Sequence, residues 1–197
     1  MSEWRQFGPE VDASRAAFIH ESVCLYGKIR LAEGVSLWPN VVMRSEMFEI
    51  AIGAFTNLQD FVMVHVGYQT PTLVGAHCSI THHVTLHGCT IEDNCLIGIN
   101  ATIMDRAVIG ANSIVAGHTI VSEGTLVPPN SIVAGVPGKV VKTRDNFVAN
   151  RLNAWLYHRN ALAYAAGDHR VWARPDVMQE AMREAERARR EREDSGR

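Results

Sequence analysis

Four of the nine histidines in this chain lie close together in sequence, at His65, His82, His83 and His87. Imidazole is the commonest protein ligand for transition metals and also a general acid or base near neutral pH. The residues around these histidines alternate between apolar and polar, a pattern typical of β-strands, which hold side chains on fixed faces. The chemistry therefore depends on which histidines the strands bring together.

A six-residue repeat determines how these strands stack. Between residues 91 and 133 an aliphatic residue recurs at every sixth position, at Ile91, Ile97, Ile103, Ile109, Val115, Val121, Val127 and Val133. The same phase runs upstream from Ile19 to Leu86, with three extra residues before Ile52 and four before Val74. So strict a short period indicates a repeat architecture whose units bury their apolar faces by stacking. A β-sandwich is the alternative, but its strands do not keep phase so strictly.

The repeat predicts a mainly β fold, a parallel β-helix of about six three-sided coils with C-terminal α-helices. We expect a β-helix domain over residues 1–143 and a helical extension over residues 144–197. After Asp145 apolar residues recur at three and four, which predicts an amphipathic helix that ends near Gly167 and packs along the β-helix through Trp155 and Leu156. A second, charge-rich helix begins at Pro175, and we expect it to be exposed to solvent.

Composition excludes several function classes. The net charge of −2 over 197 residues predicts no affinity for nucleic acid or a membrane surface. No apolar run approaches the ~20 residues that span a bilayer, and the N-terminal residues lack a hydrophobic signal region, so a cytoplasmic location is expected. The four cysteines form no CxxC pair, and Cys78 and Cys95 occupy small-residue positions of the repeat, which indicates core packing.

The repeat also predicts which histidines are neighbours. Three hexads make one coil, so Met43, Val64, Leu86 and Ile103 should stack on one side. His65 and His87 each follow one of these residues and should lie on adjacent rungs ~4.8 Å apart, close enough to bind one metal ion. His82 belongs to the preceding side, above Asp60, and cannot easily reach that pair within its own chain. A neighbouring subunit of a homotrimer could supply it, giving three histidines and an open fourth position, as in catalytic zinc sites.

The segments NLQDFVMVH, THHVTLHGC and LIGINATIMD resemble the γ-class carbonic anhydrases of the left-handed β-helix (hexapeptide repeat) superfamily, over about residues 11–143. The resemblance implies a left-handed coil and a homotrimer with the metal ligands His65, His82 and His87, two from one subunit and the third from its neighbour. It implies carbon dioxide and bicarbonate as the substrates. Three imidazoles accept Zn²⁺, and Fe²⁺ or Co²⁺ as well.

The resemblance also implies roles for polar residues near the ligands. Gln59 would hydrogen-bond the metal-bound water or bicarbonate, and Asp60 would orient His82 or pair across the interface. Asn100, which we expect in one column with His83 and His118, would border the active cleft.

The family's Arg-x-Asp motif corresponds to Arg44 and Glu46, but here Ser45 replaces the glycine and the acid is one methylene longer. We expect Arg44 at the subunit interface near the cleft with Glu46 as its partner. A structural ion pair and a substrate contact are both open.

The expected function is reversible hydration of carbon dioxide to bicarbonate by a metal-bound hydroxide at a trimer interface, because three neutral imidazoles lower the pKa of bound water toward ~7. Removal of the proton needs a nearby histidine or carboxylate, and Glu49 and His83 are the candidates.

Two alternatives remain. A hexapeptide acyltransferase that uses an acyl-CoA would share the repeat, although one histidine would suffice there and the longest insertion here is only four residues. A metal-binding accessory homologue with little hydration activity would keep the ligands. Thioester hydrolysis by the same site is a related possibility.

Overall fold

The computed structural model describes residues 7–194 and residue 196. The chain forms nineteen short strands, two α-helices and one 3₁₀ turn within this part. The strands are Val11–Asp12 (β1), Phe18–Ile19 (β2), Cys24–Leu31 (β3), Ser36–Leu37 (β4), Val42–Ile52 (β5), Asn57–Leu58 (β6), Met63–His65 (β7), Thr72–Val74 (β8), Ser79–Ile80 (β9), Thr85–His87 (β10), Thr90–Ile91 (β11), Leu96–Ile97 (β12), Thr102–Ile103 (β13), Val108–Ile109 (β14), Ile114–Val115 (β15), Ile120–Val121 (β16), Leu126–Val127 (β17), Ser131–Ala134 (β18) and Lys139–Thr143 (β19). The helices are Phe147–Ala165 (α1) and Pro175–Asp194 (α2), with the 3₁₀ turn at Val171–Ala173.

The strands stack as a three-sided parallel β-helix, as the repeat predicts. One side is an eight-stranded sheet in the order β2, β4, β6, β9, β12, β15, β18 and β19. The long strand β5 turns a corner, pairing with β7 on the second side and with β8 on the third. Seven strands of the first side are parallel, so the stack has about seven coils rather than the expected six. The nineteen hexads fill six coils and begin a seventh, so the side that carries both the first hexad, at Ile19, and the last, at Val133, has seven parallel strands.

The aliphatic residue of each hexad points into the coil, and these residues form the continuous core of the β-helix. Leu58, Ile80 and Ile97 stack on the first side and are fully buried. Burial of each such side chain stabilises the fold by about 1.5–3 kcal/mol. Cys78 and Cys95 are also fully buried and free, as their positions in the repeat predict. The last strand, β19, pairs antiparallel with β18 and covers the C-terminal edge of this sheet.

Left-handed backbone conformations recur at the corners of the coil. Among residues 7–194, eleven residues other than glycine have a φ of about +60°, a region that asparagine tolerates better than most residues. One corner column contains Asn40, Phe61, His83, Asn100 and His118, and a second contains Phe55, His77, Asn94, Asn112 and Asn130. His83, Asn100 and His118 therefore share a column as predicted, and this column lies along a corner of the coil.

Helix α1 packs on the eight-stranded sheet, where it contacts β2, β4, β6 and β9. The helix ends near Gly167 and packs along the β-helix as predicted, with Trp155 half-buried beside Phe55 and His77. The residues that it buries fully are instead Asn150, Ala154, Asn160 and Ala161. The helix lies close to a corner rich in exposed peptide groups, so small and amide side chains suit the contact. Asn150 donates hydrogen bonds from Nδ2 to the carbonyls of Asn94 (2.9 Å) and Ser113 (3.2 Å).

Helix α2 is not an exposed tail as the sequence suggested. It folds back on α1 and buries one stripe of side chains, Val177, Ala181, Ala185 and Ala188. The sequence does not reveal this stripe, because three of its four residues are small alanines among many charged residues. Ion pairs link the two helices, from Arg159 to Glu180 at 2.8 Å and from Arg151 to Glu191 at 3.1 Å. Neither helix has an apolar stretch that would span a bilayer. The separation into two domains near residue 143 stays a prediction.

One corner histidine lies beneath these helices. The His77 ring stacks on Phe55 with ring centroids 5.3 Å apart and an interplanar angle of 14°. Burial, helped by the positive charge of Arg151, lowers the pKa of His77 from 6.5 to about 4, against the opposing charges of Glu191 and Asp93. The fold therefore keeps this imidazole neutral.

The depressed pKa of His77 predicts a pH dependence of stability. The contribution of the neutral His77 ring to the free energy of unfolding is fully present above pH 6.5 and is lost as the pH falls through about 4. The loss occurs because the unfolded chain takes up the proton at a higher pH than the folded chain does. His77→Asn, which places asparagine where Asn94 and Asn112 stand in the same column, should flatten the fall in unfolding free energy over this range. Denaturant titrations at several pH values measure it, with the exposed corner variant His118→Asn as control. An unchanged slope in His77→Asn would contradict the assignment.

Candidate metal centre

His65 and His87 lie side by side on the second face of the β-helix. Strands β7 and β10 pair in parallel with Val64 opposite Leu86 and His65 opposite His87, as the hexad register predicts. Because Val64 and Leu86 point into the core, the following histidines project outward on the same face. His65 Nδ1 lies 3.1 Å from His87 Nε2.

The outer nitrogens of both rings contact carboxylates, which fixes the tautomers. His87 Nδ1 lies 2.7 Å from Asp105 Oδ2, and His65 Nε2 lies 2.9 Å from Glu46 Oε2. Ionised carboxylates only accept hydrogen bonds, so these two ring nitrogens donate. The lone pairs of His65 Nδ1 and His87 Nε2 then face each other, and such an arrangement calls for a proton or a metal ion between them.

This geometry fits part of a metal site. Ligand nitrogens ~2.0–2.1 Å from a tetrahedral zinc ion are about 3.4 Å apart, close to the separation of the two histidine nitrogens. Both rings are partly exposed, with 23% of the His65 side chain and 33% of the His87 side chain accessible to solvent. A third protein ligand and an exchangeable small molecule could therefore reach a metal ion held between the two rings.

The pair opens into a cleft of about 410 Å³ that Arg44, Glu46, Met47, Val66, Gly67 and Tyr68 line together with the two histidines. Arg44 is opposite His65 in the ladder and forms the expected ion pair with Glu46. Partial burial raises the pKa of the Glu46 carboxyl, but hydrogen bonds from His65 and from the backbone and the charge of Arg44 outweigh it and hold that pKa below its usual value. Glu46 thus stays ionised and links Arg44 to His65.

His82 lies on a different side of the coil. It follows β9 on the eight-stranded sheet, and its Nδ1 lies 2.9 Å from Asp60 Oδ2, in agreement with the register that places it above Asp60. The contact with the carboxylate leaves the lone pair of His82 on Nε2. Within one copy of residues 7–194, no three His, Cys, Asp or Glu side chains come together in a metal-binding group. A site that includes His82 with His65 and His87 therefore needs a second copy.

Two other predicted site residues lie outside the cleft of their own chain. Gln59 is buried after β6, where its Nε2 donates to Asn57 Oδ1 at 3.0 Å. Asn100 is an exposed corner residue whose N–H donates to the carbonyl of His82 at 3.0 Å. Both lie beside the segment that carries His82, because the N–H of Gln59 donates to the carbonyl of Ile80 and that of Asn100 to the carbonyl of His82. Their roles in catalysis stay predictions.

The two candidates for proton transfer have other contacts. Glu49 forms ion pairs with Arg30 at 2.9 Å and Lys28 at 3.7 Å, and lines a neighbouring cleft of about 470 Å³. The His83 ring stacks on Phe61, with centroids 4.8 Å apart and an interplanar angle of 4°. A part in proton transfer remains a prediction for both.

Asp105 is the contact residue that the sequence reasoning missed. It follows β13, which is the next strand above β10, and its carboxylate accepts the hydrogen bond from His87. The register of Leu86 with Ile103, continued along the chain, places Met104 opposite His87 and Asp105 opposite Gly88, so the carboxylate reaches His87 diagonally. Asp60 and His82, by contrast, are both two residues past paired aliphatic positions, so the register alone brings them together.

Comparisons with known proteins show which family this chain resembles. Residues 88–123 match the family model "Bacterial transferase hexapeptide (six repeats)". A Methanocaldococcus jannaschii protein named "Probable carbonic anhydrase" is 48% identical over 146 residues, which cover 73% of this chain and 92% of that protein. A Geobacillus kaustophilus "Carbonic anhydrase" is 39% identical over 134 residues, 68% of this chain and 72% of the relative.

A further relative matches a shorter stretch of the chain, and a solved structure shares its fold. "Gamma carbonic anhydrase 3, mitochondrial" of Arabidopsis thaliana is 39% identical over 100 residues, 48% of this chain and 38% of that protein. The crystal structure of a hexapeptide transferase family protein from Anaplasma phagocytophilum superposes with a TM-score of 0.68 at 29% identity, covering 80% of this chain and 91% of that one. The chain belongs to the γ-class carbonic anhydrase-like family of hexapeptide-repeat proteins.

Proposed function

We propose that this protein catalyses the reversible hydration of carbon dioxide to bicarbonate at a metal site shared between the subunits of a homotrimer. The observation that carries the proposal is the opposition of the His65 Nδ1 and His87 Nε2 lone pairs at 3.1 Å, in an open cleft beside Arg44. When bound there by three neutral imidazoles, Zn²⁺, Fe²⁺ or Co²⁺ would supply a Lewis acid that lowers the pKa of a water ligand toward ~7.

The division of the histidines between two sides of the coil supports the trimer. His65 and His87 project from the second side, whereas His82 follows a strand of the first side. A threefold axis repeats one contact between unlike faces of neighbouring subunits, so each interface would join the pair of one chain to His82 of the next. The homology to carbonic anhydrases supports the same arrangement.

The cleft suits a small substrate that gains charge in the reaction. Val66 and Tyr68 offer an apolar wall for carbon dioxide, which is uncharged. We assign Arg44 to bind the bicarbonate anion, with Glu46 holding the guanidinium in place beside His65. Gln59 and Asn100 of the neighbouring chain would complete the polar border, and Asp60 would orient His82 as Asp105 orients His87.

Oxygen-isotope exchange between carbon dioxide and water tests this function on protein reconstituted with Zn²⁺ or, without oxygen, with Fe²⁺. We expect exchange above the uncatalysed rate, its loss to background after chelation, and its return with metal. The exposed variant His118→Ala serves as a control that should keep the wild-type rate.

The alternative functions predict different results when metal is added and removed. A fully metal-loaded protein without hydration activity would contradict the proposed reaction and favour an accessory role. Transfer of an acetyl group from acetyl-CoA that persists after chelation would favour a hexapeptide acyltransferase. The Anaplasma phagocytophilum structure is described as a hexapeptide transferase family protein.

A further inference from the structure

The carboxylate of Asp105 occupies a space that two glycines leave open. Its Oδ2 accepts the hydrogen bond from His87, while its Oδ1 lies against Gly67 and Gly88. A Cβ atom at Gly67 would lie 2.0 Å from Oδ1, and one at Gly88 would lie 2.6 Å from it. Any side chain at either position would collide with the carboxylate.

The inserted loop after His65 builds this space. The loop turns back through a hydrogen bond from the N–H of Gly67 to the carbonyl of Thr70 at 2.9 Å. Thr72 at its end is fully buried, and its hydroxyl donates to the carbonyl of His65 (2.5 Å) and accepts from the N–H of Gly88 (2.9 Å). One side chain therefore ties together the backbones that carry the two histidines.

We propose that Asp105, held between Gly67 and Gly88, is a positioning residue that fixes His87 as the Nδ1–H tautomer and aims its Nε2 at the metal position. The inference rests on the proposed metal site for its effect on metal affinity. A carboxylate behind a ligating histidine orients the ring and raises its basicity, and loss of such a partner typically costs ~10–100-fold in metal affinity. The insertion after His65 then serves to position a ligand and is more than a tolerated loop.

Gly67→Ala is the sharpest variant, because it leaves Asp105 itself intact. The atoms that its Cβ would approach most closely belong to the side chains of Asp105 and Thr70, and Gly67 has no positive φ, so the backbone need not change. The carboxylate has to move away from its place behind His87. We expect Gly67→Ala and Asp105→Ala each to weaken Zn²⁺ binding by ~10–100-fold in competition with a chromogenic chelator.

Asp93 provides the matched control. Its Oδ1 would lie 2.4 Å from a Cβ at Gly75, a contact of the same kind on the neighbouring side of the coil, and it accepts from the N–H of Ala76 at 2.7 Å. The Asp93 carboxylate thus accepts a hydrogen bond from a backbone N–H and contacts no histidine ring. Asp93→Ala should therefore lose some stability and keep the wild-type Zn²⁺ affinity.

A second measurement needs no metal. Nitrogen-15 NMR of histidine-labelled, metal-free protein reports the tautomer of each ring, and His87→Gln identifies the His87 signals. We expect the Nδ1–H form of His87 in the wild type and a mixture of both tautomers in Gly67→Ala and Asp105→Ala. Folded variants with wild-type tautomer and wild-type Zn²⁺ affinity would overturn the inference. A wild type that binds no metal would overturn the proposed function alone, and the His87 tautomer would still decide the role of Asp105.

Discussion

His65→Ala, His82→Ala and His87→Ala should each reduce the metal content from about one ion per chain to near zero. A three-histidine site that loses one ligand keeps two imidazoles, so its affinity should fall by more than the ~10–100-fold typical for loss of a supporting residue. His82→Ala is the most informative of the three, because His82 does not contact the other two histidines within its own chain. Elemental analysis of protein purified without chelators, combined with circular dichroism to show that each variant is folded, measures the effect.

Two histidines outside the site provide controls for this series. His118 is an exposed corner residue, and His158 belongs to α1 and faces the β-helix, with its Nδ1 3.3 Å from the carbonyl of Gly34. His118→Ala and His158→Ala should keep full metal content. Retention of full metal by any of the three ligand variants would exclude that histidine from the site.

The pairing of site residues could be predicted from the sequence because a parallel β-helix converts sequence distance into spatial distance. His65 with His87 and Asp60 with His82 are each 22 residues apart, one coil plus the inserted loop, and both pairs are in contact. The core was predictable for the same reason, since every hexad places its aliphatic residue inside. The contact of Asp105 with His87 is diagonal to this register, which pairs His87 with Met104, so the register alone does not predict it.

Features that depend on interrupted repeats or on packing between unlike elements could not be predicted. Glu46 reaches His65 from the point where three extra residues break the period, so no register argument places its carboxylate. The buried face of α1 is made of asparagine and alanine, because it meets the peptide groups and amide side chains of a corner column. A hydrophobic pattern carries no signal for such a contact.

The claim that one site spans two subunits can be tested directly by mixing two inactive chains. His82→Ala keeps the pair His65 and His87, and the double variant His65→Ala/His87→Ala keeps His82. Neither variant alone should bind metal. In trimers formed at random from equal amounts of both, about one interface in four joins an intact pair to an intact His82 and is complete.

Co-expression of the two chains with different affinity tags, followed by purification through both tags, selects the mixed trimers for analysis. The account predicts that these trimers recover metal, one ion in each, together with hydration activity in proportion. Mixed trimers of confirmed mass that take up no metal on reconstitution, while the wild type does, would contradict a site shared between His82 of one chain and the His65–His87 pair of the next.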